Sequence, residues 1–243
     1  MLLARARKAA KRVPAVVLTA ESCAHLYRTV RTRWLEDLRT EMERAHEEAW
    51  WDFGLAIEGR RHERAIDLVR CRRSDLTTRT ALEVGPSAGD FTRLLAGAFG
   101  EVLAIDVSQR SCALTRQAVA GRSNVRVQRH DLAAASVGER FDAVFLLDVL
   151  ECLPGRAAYQ RAVDNALAAI KPGGLLVLSC CLLPAMLEGR WWTARLGQGG
   201  RGTLDLFGAR PELRRLAQET LPGDPAVQYP DHLLAVWDKP ARA

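Results

Sequence analysis

The chain is poor in several features that mark particular classes of protein. It has six cysteines in 243 residues, and no two of them form a C-x-x-C pair. Aromatic residues make up only 6% of the chain, and no apolar run reaches the roughly 18 residues that a membrane-spanning helix requires. The absence of these features argues against a disulfide framework, a metal site of the paired-cysteine kind and a membrane span. They favour reduced thiols in a cytoplasmic protein, and no metal is expected.

Basic charge is abundant but unevenly placed. The net charge is +6, yet residues 1–12 alone carry five basic side chains and no acid, whereas residues 81–243 are nearly neutral. Binding of nucleic acid calls for a basic patch or groove, so nucleic acid is not an expected partner of the main part of the chain. The basic N-terminal segment either contacts a membrane surface or an acidic partner, or is simply a solvated terminus. We expect no signal peptide, because the apolar stretch after it is short and contains Pro14.

The stretch from Ala81 to Ala96 is the most informative part of the sequence. An apolar run ends at Glu83, a turn bounded by Gly85 and Gly89 follows, and the next apolar residues recur at helical spacing. A strand, a tight turn and a helix form a ligand crevice at the carboxyl end of the strand. Glycine lets the backbone approach a ligand closely, and the helix start offers amide donors to an anionic group. The sequence therefore predicts a ligand site at this turn.

A second acid narrows the class of ligand. Asp106 ends the next apolar run, roughly twenty residues further on, where doubly wound folds place an acid that accepts hydrogen bonds from ribose hydroxyls. A ribose-bearing ligand is predicted, and this spacing alone leaves a dinucleotide and S-adenosylmethionine open. The glycine pattern separates them, because dinucleotide sites favour G-x-G-x-x-G and residues 85–89 read Gly-Pro-Ser-Ala-Gly.

Residues 83–89 resemble motif I of the class I S-adenosylmethionine-dependent methyltransferases, acid-x-G-x-G-x-G, with Ser87 in place of the middle glycine. Later segments follow in the family's order, and the resemblance covers about residues 81–183. These later segments are His130-Asp131-Leu132 after a short strand, Asp148–Leu153 at motif IV, and Lys-Pro-Gly-Gly at residues 171–174. The resemblance implies S-adenosyl-L-methionine as the cofactor, with Asp131 on its adenine side. The implied cofactor-binding residues are Glu83, Gly85, Ser87, Gly89, Asp106, Val107, Asp131 and Leu132.

The order of predicted elements favours an α/β fold, because strands and helices alternate through the body of the chain. With the resemblance, we expect a Rossmann-like, doubly wound sheet of seven strands, mostly parallel, with an antiparallel C-terminal hairpin. We divide the chain into residues 1–78, a basic segment and helical cap, and residues 79–243, the methyltransferase domain. A lid insertion is expected near residues 187–208.

Individual elements are predicted from the same patterns. Helices are predicted at Gly59–Arg73 and at Pro211–Thr220, from apolar spacing and the position of the prolines. A buried strand is predicted at Leu175–Leu183, and the closing hairpin is predicted to consist of strands at Ala226–Tyr229 and His232–Trp237.

Methyl transfer from a sulfonium is an in-line displacement, so the nucleophile must be held about 3–3.5 Å from the methyl carbon. An amine acceptor need only be neutral and aimed, whereas a hydroxyl is helped by a general base with a pKa near the operating pH. In the family the loop after the fourth strand faces the methyl group, which implies Asp148 and Glu151 as catalytic candidates. The alternatives are that Asp148 supports the cofactor indirectly and that Glu151 is a solvated residue at a helix start.

The first part of the chain carries a finer resemblance. Trp50-Trp51-Asp52-Phe53 and Arg61-His62-Glu63-Arg64 resemble segments of the nodulation-type N-methyltransferases, which methylate the amine of an aminosugar in a chitooligosaccharide precursor. The resemblance implies that Trp50, Trp51 and His62 form a substrate wall, and the alternative is that they pack the cap on the sheet. Trp191 is either the aromatic anchor of a mobile lid or part of a loop whose indoles enter the core.

The leading hypothesis is a small-molecule methyltransferase that acts on an amine of an aminosugar or another secondary metabolite, as in natural product biosynthesis. A small-molecule O-methyltransferase, an RNA or protein methyltransferase, and a non-catalytic cofactor-binding subunit stay open. The expected partner is a small-molecule acceptor, and a homodimer is also open.

Overall fold

The computed structural model describes residues 56–153, 155–182, 200–223 and 231–241. The predicted basic segment, Trp50, Trp51 and Trp191 therefore lie outside the described residues, as does the predicted strand Ala226–Tyr229. In the described ranges, none of the helices combines the length and the apolar character needed to cross a bilayer.

A single seven-stranded sheet forms the centre of the molecule. Its strands are β1 (Thr80–Val84), β2 (Glu101–Asp106), β3 (Val125–Arg129), β4 (Phe141–Leu147), β5 (Ile170–Cys181), β6 (Arg214–Leu221) and β7 (His232–Asp238). The strand order across the sheet is β3-β2-β1-β4-β5-β7-β6. The first five strands are mutually parallel, and β7 runs antiparallel to both β5 and β6. The predicted doubly wound sheet with an antiparallel C-terminal hairpin is confirmed.

Five α-helices cover the sheet in the described ranges. They are α1 (Ala56–Arg70), α2 (Asp90–Ala98), α3 (Gln109–Ala118), α4 (Gly155–Ala168) and α5 (Gly200–Gly208). Strand side chains alternate between two cores. Leu82 and Val144 pack with α4 and α5, whereas their neighbours Ala81 and Phe145 pack with α1 and α2 on the opposite face. Because α1 joins the core on one face of the sheet, the part of the predicted cap that is described packs directly on the sheet.

The chain order places a cleft at one end of the sheet. From β1 the chain moves outward to β2 and β3, and then returns to the other side of β1 as β4. The crevice outside the carboxyl ends of strands at such a switch point is where open α/β sheets bind ligands. The residues that end β1, β2 and β4 are therefore brought to one edge.

The predicted helix at Pro211–Thr220 is wrong, because Arg214–Leu221 is the edge strand β6. Its residues pair antiparallel with β7 from Arg214 opposite Asp238 to Leu221 opposite His232. Local propensity is a weak prior, and a neighbouring strand with unpaired backbone groups overrides it. The helix predicted at Gly59–Arg73 is found at Ala56–Arg70.

The strand predicted to begin at Leu175 begins at Ile170. The pairing with β4 jumps from Phe141 opposite Ile170 to Ala143 opposite Leu175, so the Pro-Gly-Gly segment is looped out of the ladder as a bulge. Gly173 in this segment has φ of 76°. The sequence signal that indicates the end of a helix here also marks an irregularity inside a strand.

The two leucines at positions 94 and 95 of α2 provide a test of the core. Leu95 is fully buried, whereas Leu94 is 36% exposed on the same helix. Leu95→Ala is expected to lower the free energy of unfolding by about 2–5 kcal/mol, because it leaves a cavity. Leu94→Ala is the matched control and is expected to change it by less than about 1 kcal/mol. Urea unfolding measures both, and equal losses in the two variants would contradict this placement of the helix.

Candidate functional site

One cleft opens at the carboxyl ends of β1, β2 and β4. Its described lining includes residues of α1, the turn after β1, the ends of β2 and β4, the segment after β3 and parts of α2, α3 and α4. Of the predicted cofactor residues, it brings together Glu83, Gly85, Ser87, Asp106, Val107, Asp131 and Leu132. The eighth, Gly89, ends the turn as the N-cap of α2 and is not part of the described lining. Of the other predicted site residues, His62 and Asp148 line the same cleft, and the side chain of Glu151 is not among those described.

The turn after β1 requires glycine at both of its ends. Gly85 has φ of 74°, and a Cβ there would lie 2.8 Å from Val149 Cγ2. Gly89 has φ of 87°, and its Cβ would lie 2.9 Å from the Cα of Thr115. Side chains rarely adopt this left-handed backbone, and here they would also collide with neighbouring atoms. The turn is thus held close to the loop after β4 on one side and to α3 on the other.

Glu83 lies near the end of β1 and lines the cleft with a buried carboxyl group. It is 3% exposed, and Thr92 Oγ1 donates a hydrogen bond of 2.6 Å to its Oε2. Burial raises the pKa of Glu83 to about 8, and the nearby Asp106 carboxylate adds to the rise while the Thr92 hydroxyl opposes it. The group therefore carries its proton through most of the neutral range.

Two further carboxylates follow at the ends of the next strands. Asp106 ends β2, and its Oδ1 accepts a hydrogen bond of 2.8 Å from the backbone N–H of Ser108. Asp131 follows β3, and its Oδ1 accepts a bond of 2.8 Å from the backbone N–H of Ala133. Because each carboxylate is fixed by a backbone donor two residues later, both groups are oriented before any ligand arrives.

Asp148 follows β4 and lies in a buried network of charged and polar groups. Its Oδ1 accepts a bond of 2.9 Å from Ser179 Oγ, and its Oδ2 forms an ion pair with Arg61 Nη1 and lies 3.1 Å from His232 Nε2. Arg61 is only 6% exposed, and its second nitrogen pairs with Glu58. The network links α1 to the ends of β4, β5 and β7.

The sequence motifs that indicate the site do not identify the residues that contact Asp148. Arg61 stands on the buried face of α1 with Ile57, Ala65 and Leu68, where an amphipathic helix normally has apolar residues. That position is a usable signal, because a buried arginine needs an acidic partner. Ser179 and His232 lie in strands that read as apolar, and nothing in their spacing indicates the contact.

His62 lines the cleft next to α2. Its ring centroid lies 5.0 Å from that of Phe91, and its Nε2 lies 3.8 Å from Glu58 Oε2. Burial, together with the charge of Arg61, lowers the pKa of His62 to about 4. The imidazole is therefore neutral near pH 7, where it can donate or accept a hydrogen bond but is a weak base.

The described lining of the cleft is rich in acids although the whole chain carries a net charge of +6. It has a single arginine, Arg61, against six carboxyl groups. Those six are Glu58, Glu83, Asp90, Asp106, Asp131 and Asp148. Even without Glu83, the carboxyl groups outnumber the arginine, so the described lining favours a positively charged ligand. Within the described ranges, no cluster of His, Cys, Asp and Glu could hold a metal ion.

Comparison with known proteins agrees with this geometry. Residues 82–176 match a family model described as a methyltransferase domain. The chain is 32% identical over 140 residues to nodulation protein S of Sinorhizobium fredii, which is 58% of this chain and 63% of that protein. It is 28% identical to nodulation protein S of Bradyrhizobium diazoefficiens over 56% of this chain and 64% of the relative. The match thus spans a little under two thirds of these relatives.

Solved structures show the same fold. N-methyltransferase NodS from Bradyrhizobium japonicum WM9, in complex with S-adenosyl-L-homocysteine, has a TM-score of 0.69 at 24% identity, over 84% of this chain and 100% of that one. The 1,6-didemethyltoxoflavin-N1-methyltransferase of Burkholderia thailandensis has a TM-score of 0.63 at 15% identity, over 90% of each chain. The predicted methyltransferase resemblance and Rossmann-like fold are confirmed.

The raised pKa of Glu83 makes stability depend on pH. The pKa in the folded protein lies above its ordinary value of 4.5, so the stabilisation by the protonated carboxyl is complete below that value and is lost as pH rises through about 8. Glu83→Gln is neutral at every pH. As the pH rises from 5 to 9, we expect the melting temperature of the wild type to fall relative to that of Glu83→Gln. Glu101→Gln, at the exposed start of β2, is the control, and parallel profiles for wild type and Glu83→Gln would refute the assignment.

The Arg61–Asp148 pair can be tested by a double-mutant cycle. Arg61→Met is expected to lower the free energy of unfolding by about 3 kcal/mol, because it leaves Asp148 without its cation. Arg60→Met, on the exposed face of the same helix, should change it by less than about 0.5 kcal/mol. Asp148→Asn should lower the free energy of unfolding much less in the Arg61→Met variant than in the wild type. Additive losses in urea unfolding would show that the two side chains are not coupled.

Proposed function

We propose that this protein transfers a methyl group from S-adenosylmethionine to an amine of a small molecule, because residues 82–176 match a methyltransferase domain and the fold is that of known methyltransferases. The observation that carries this proposal is the convergence of Glu83, Asp106 and Asp131 from three successive strand ends in one cleft. The acceptor is proposed to be an aminosugar or another secondary-metabolite amine. Support for the nitrogen comes from the solved N-methyltransferase NodS and the 1,6-didemethyltoxoflavin-N1-methyltransferase.

The residues of the cleft fit this cofactor. Gly85 has no room for a side chain beside Val149, which suits a turn that a ligand approaches closely. Asp106 would bind the ribose hydroxyls, and Asp131 with Leu132 would lie on the adenine side. When bound, the cofactor supplies a methyl group from a positively charged sulfonium. The excess of carboxylates in the described lining favours such a cation over a neutral thioether.

The acceptor is proposed to enter between α1 and the loop after β4. His62, which is neutral near pH 7, would contact it there. Asp148 is paired with Arg61 and His232, so its proposed part is to hold a fixed negative charge near the acceptor nitrogen. An acceptor amine that arrives neutral needs orientation more than a strong base. Glu151, Trp50, Trp51 and Trp191 stay predictions for catalysis and for the substrate wall.

We further propose that the chain divides at residue 78, that a lid lies near residues 187–208, and that the protein is a cytoplasmic homodimer. An acid-rich cleft disfavours a polyanion, so RNA is an unsuitable acceptor.

The test measures ligand binding and then methyl transfer. Calorimetry is expected to show binding of S-adenosylhomocysteine and none of NAD. Asp106→Ala should weaken this binding about tenfold or more, because hydrogen bonds to the charged acceptor are lost. Glu101→Ala, at the other end of the same strand, should leave it unchanged. Labelled methyl groups should then appear on a chitooligosaccharide with a free amine, in preference to a catechol or RNA.

Each alternative has its own outcome in this test. Transfer to the catechol alone would establish an O-methyltransferase, and tight binding without transfer to any acceptor would favour a non-catalytic subunit. Binding of NAD without S-adenosylhomocysteine would overturn the proposal.

A further inference from the structure

His232 is a buried histidine behind the acceptor side of the cleft. It begins β7, and its side chain is only 6% exposed. Its Nε2 lies 3.1 Å from Asp148 Oδ2, whereas His232 itself is not part of the described lining of the cleft. Asp148 does line the cleft, and its side chain is 24% exposed. A ligand in the cleft therefore meets the carboxylate, and His232 can act on that ligand only through Asp148.

The carboxylate of Asp148 is held from its buried side. Ser179 Oγ donates a hydrogen bond of 2.9 Å to Oδ1, and Oδ2 is shared between Arg61 Nη1 and His232 Nε2. The backbone of Asp148 is left-handed, with φ of 54°, and its N–H donates a bond of 3.0 Å to the carbonyl of Ser179. A left-handed residue other than glycine persists only where its surroundings hold it. The fold thus fixes the place of this negative charge.

The charges of this network do not balance while His232 is neutral. The guanidinium of Arg61 bridges the carboxylates of Asp148 and Glu58, with Nη1 on the first and Nη2 on the second. Two carboxylates and one arginine leave one negative charge, in a place where burial makes an uncompensated charge costly. A proton on His232 would supply the missing positive charge, and so would a cation in the cleft beside Asp148.

Charged and titratable groups on several elements surround His232. They are Asp148 after β4, Arg61 and Glu58 of α1, Cys181 opposite His232 on β5, Glu219 of β6, and Asp231 directly before it. Glu219 pairs with Arg64. The Oδ1 of Asp231 accepts a bond of 2.7 Å from the backbone N–H of Gly223. The carboxylate at 3.1 Å is that of Asp148, so a proton held by His232 interacts with this charge at close range.

We propose that a proton on His232 competes for the Asp148 carboxylate with the positive charge of the acceptor. The acceptor nitrogen carries this charge as an ammonium group, or gains it as it takes the methyl group. The inference rests on the proposed function, since it places the acceptor nitrogen beside Asp148. His232 is then a positioning residue, because its neutral form leaves the negative charge of the network to the acceptor. By linkage, the proton and the acceptor charge weaken each other's binding by the same factor.

The experiment measures sugar binding to the complex with S-adenosylhomocysteine by calorimetry, at pH 5.5 and pH 8.5. N,N,N-trimethylglucosamine carries a charge that does not depend on pH, and N-acetylglucosamine is its neutral counterpart. The wild type is expected to bind the cationic sugar about tenfold more weakly at pH 5.5, because a protonated His232 and the sugar repel each other across a partly buried site. Binding of the neutral sugar should not change with pH.

Two substitutions assign the effect to this pair. His232→Gln keeps an N–H donor but does not titrate, so at pH 5.5 it should bind the cationic sugar as tightly as the wild type does at pH 8.5. Asp148→Asn should weaken that binding at pH 8.5 and remove its pH dependence. Arg122→Gln, which removes a positive charge at an exposed position, is the control and should behave as the wild type. Binding of S-adenosylhomocysteine should be the same in all variants, which also reports that they fold.

The same competition should be visible at the histidine. The ring signals of His232 in NMR spectra, identified by their loss in His232→Gln, should titrate at lower pH with trimethylglucosamine bound and should not move with N-acetylglucosamine. Equal binding of the cationic sugar by the wild type at both pH values would overturn the inference. A pH dependence that persists in His232→Gln would overturn it too, and would assign the effect to another group, such as Glu83.

Failures of the proposed function look different. A wild type that binds S-adenosylhomocysteine but neither sugar would overturn the proposed acceptor side and the inference with it. Failure of the wild type to bind S-adenosylhomocysteine would overturn the proposed function as a whole.

Discussion

The shape of the cleft depends on a buried contact between opposite charges that are far apart in the chain. Arg61 of α1 pairs with Asp148 after β4, while Ser179 of β5 and His232 of β7 complete the set. A desolvated arginine is tolerated only where its charge and donors are used, so α1 is held at one position on the sheet. This contact brings Glu58 and His62 to the wall of the cleft, and it also supports the left-handed backbone of Asp148. The acceptor side of the proposed site is therefore assembled by the same interaction that fixes the helix.

The electrostatics of the cleft are opposite in sign to those of the whole protein. The chain is basic overall, yet the described lining of the cleft has six carboxyl groups against one arginine. The buried Glu83 carboxyl adjusts to this crowding by keeping its proton, because burial and the neighbouring Asp106 both penalise its charged form. A positively charged ligand placed beside Glu83 would favour the ionised form. Such a ligand would lower the pKa of the Glu83 carboxyl from its raised value.

The sequence predicts the parts of the structure that follow from local order, and misses those that depend on long-range contact. The positions of Glu83 and Asp106 can be predicted, because acids at the carboxyl ends of parallel strands must meet at one edge, whereas Asp131 is predicted from the family resemblance. Strand β6 is missed, since its residues favour a helix until β7 lies beside them. The partners of Asp148 come from positions scattered between residues 61 and 232, and no spacing rule connects them. Ser87 is visible as a departure from the glycine pattern, but its unpaired hydroxyl appears only once the turn is folded.

The close approach of Gly85 to Val149 has a consequence for the order of events at the site. An added Cβ at Gly85 would lie only 2.8 Å from the Val149 side chain, so the glycine turn and the loop after β4 are in direct contact. Interiors packed this tightly transmit small displacements instead of absorbing them. A ligand that displaced the turn would therefore displace the loop as well, and a second ligand beside the loop would meet a surface shaped by the first. In the proposed reaction, such mechanical coupling would favour sequential entry, with the cofactor bound before the acceptor.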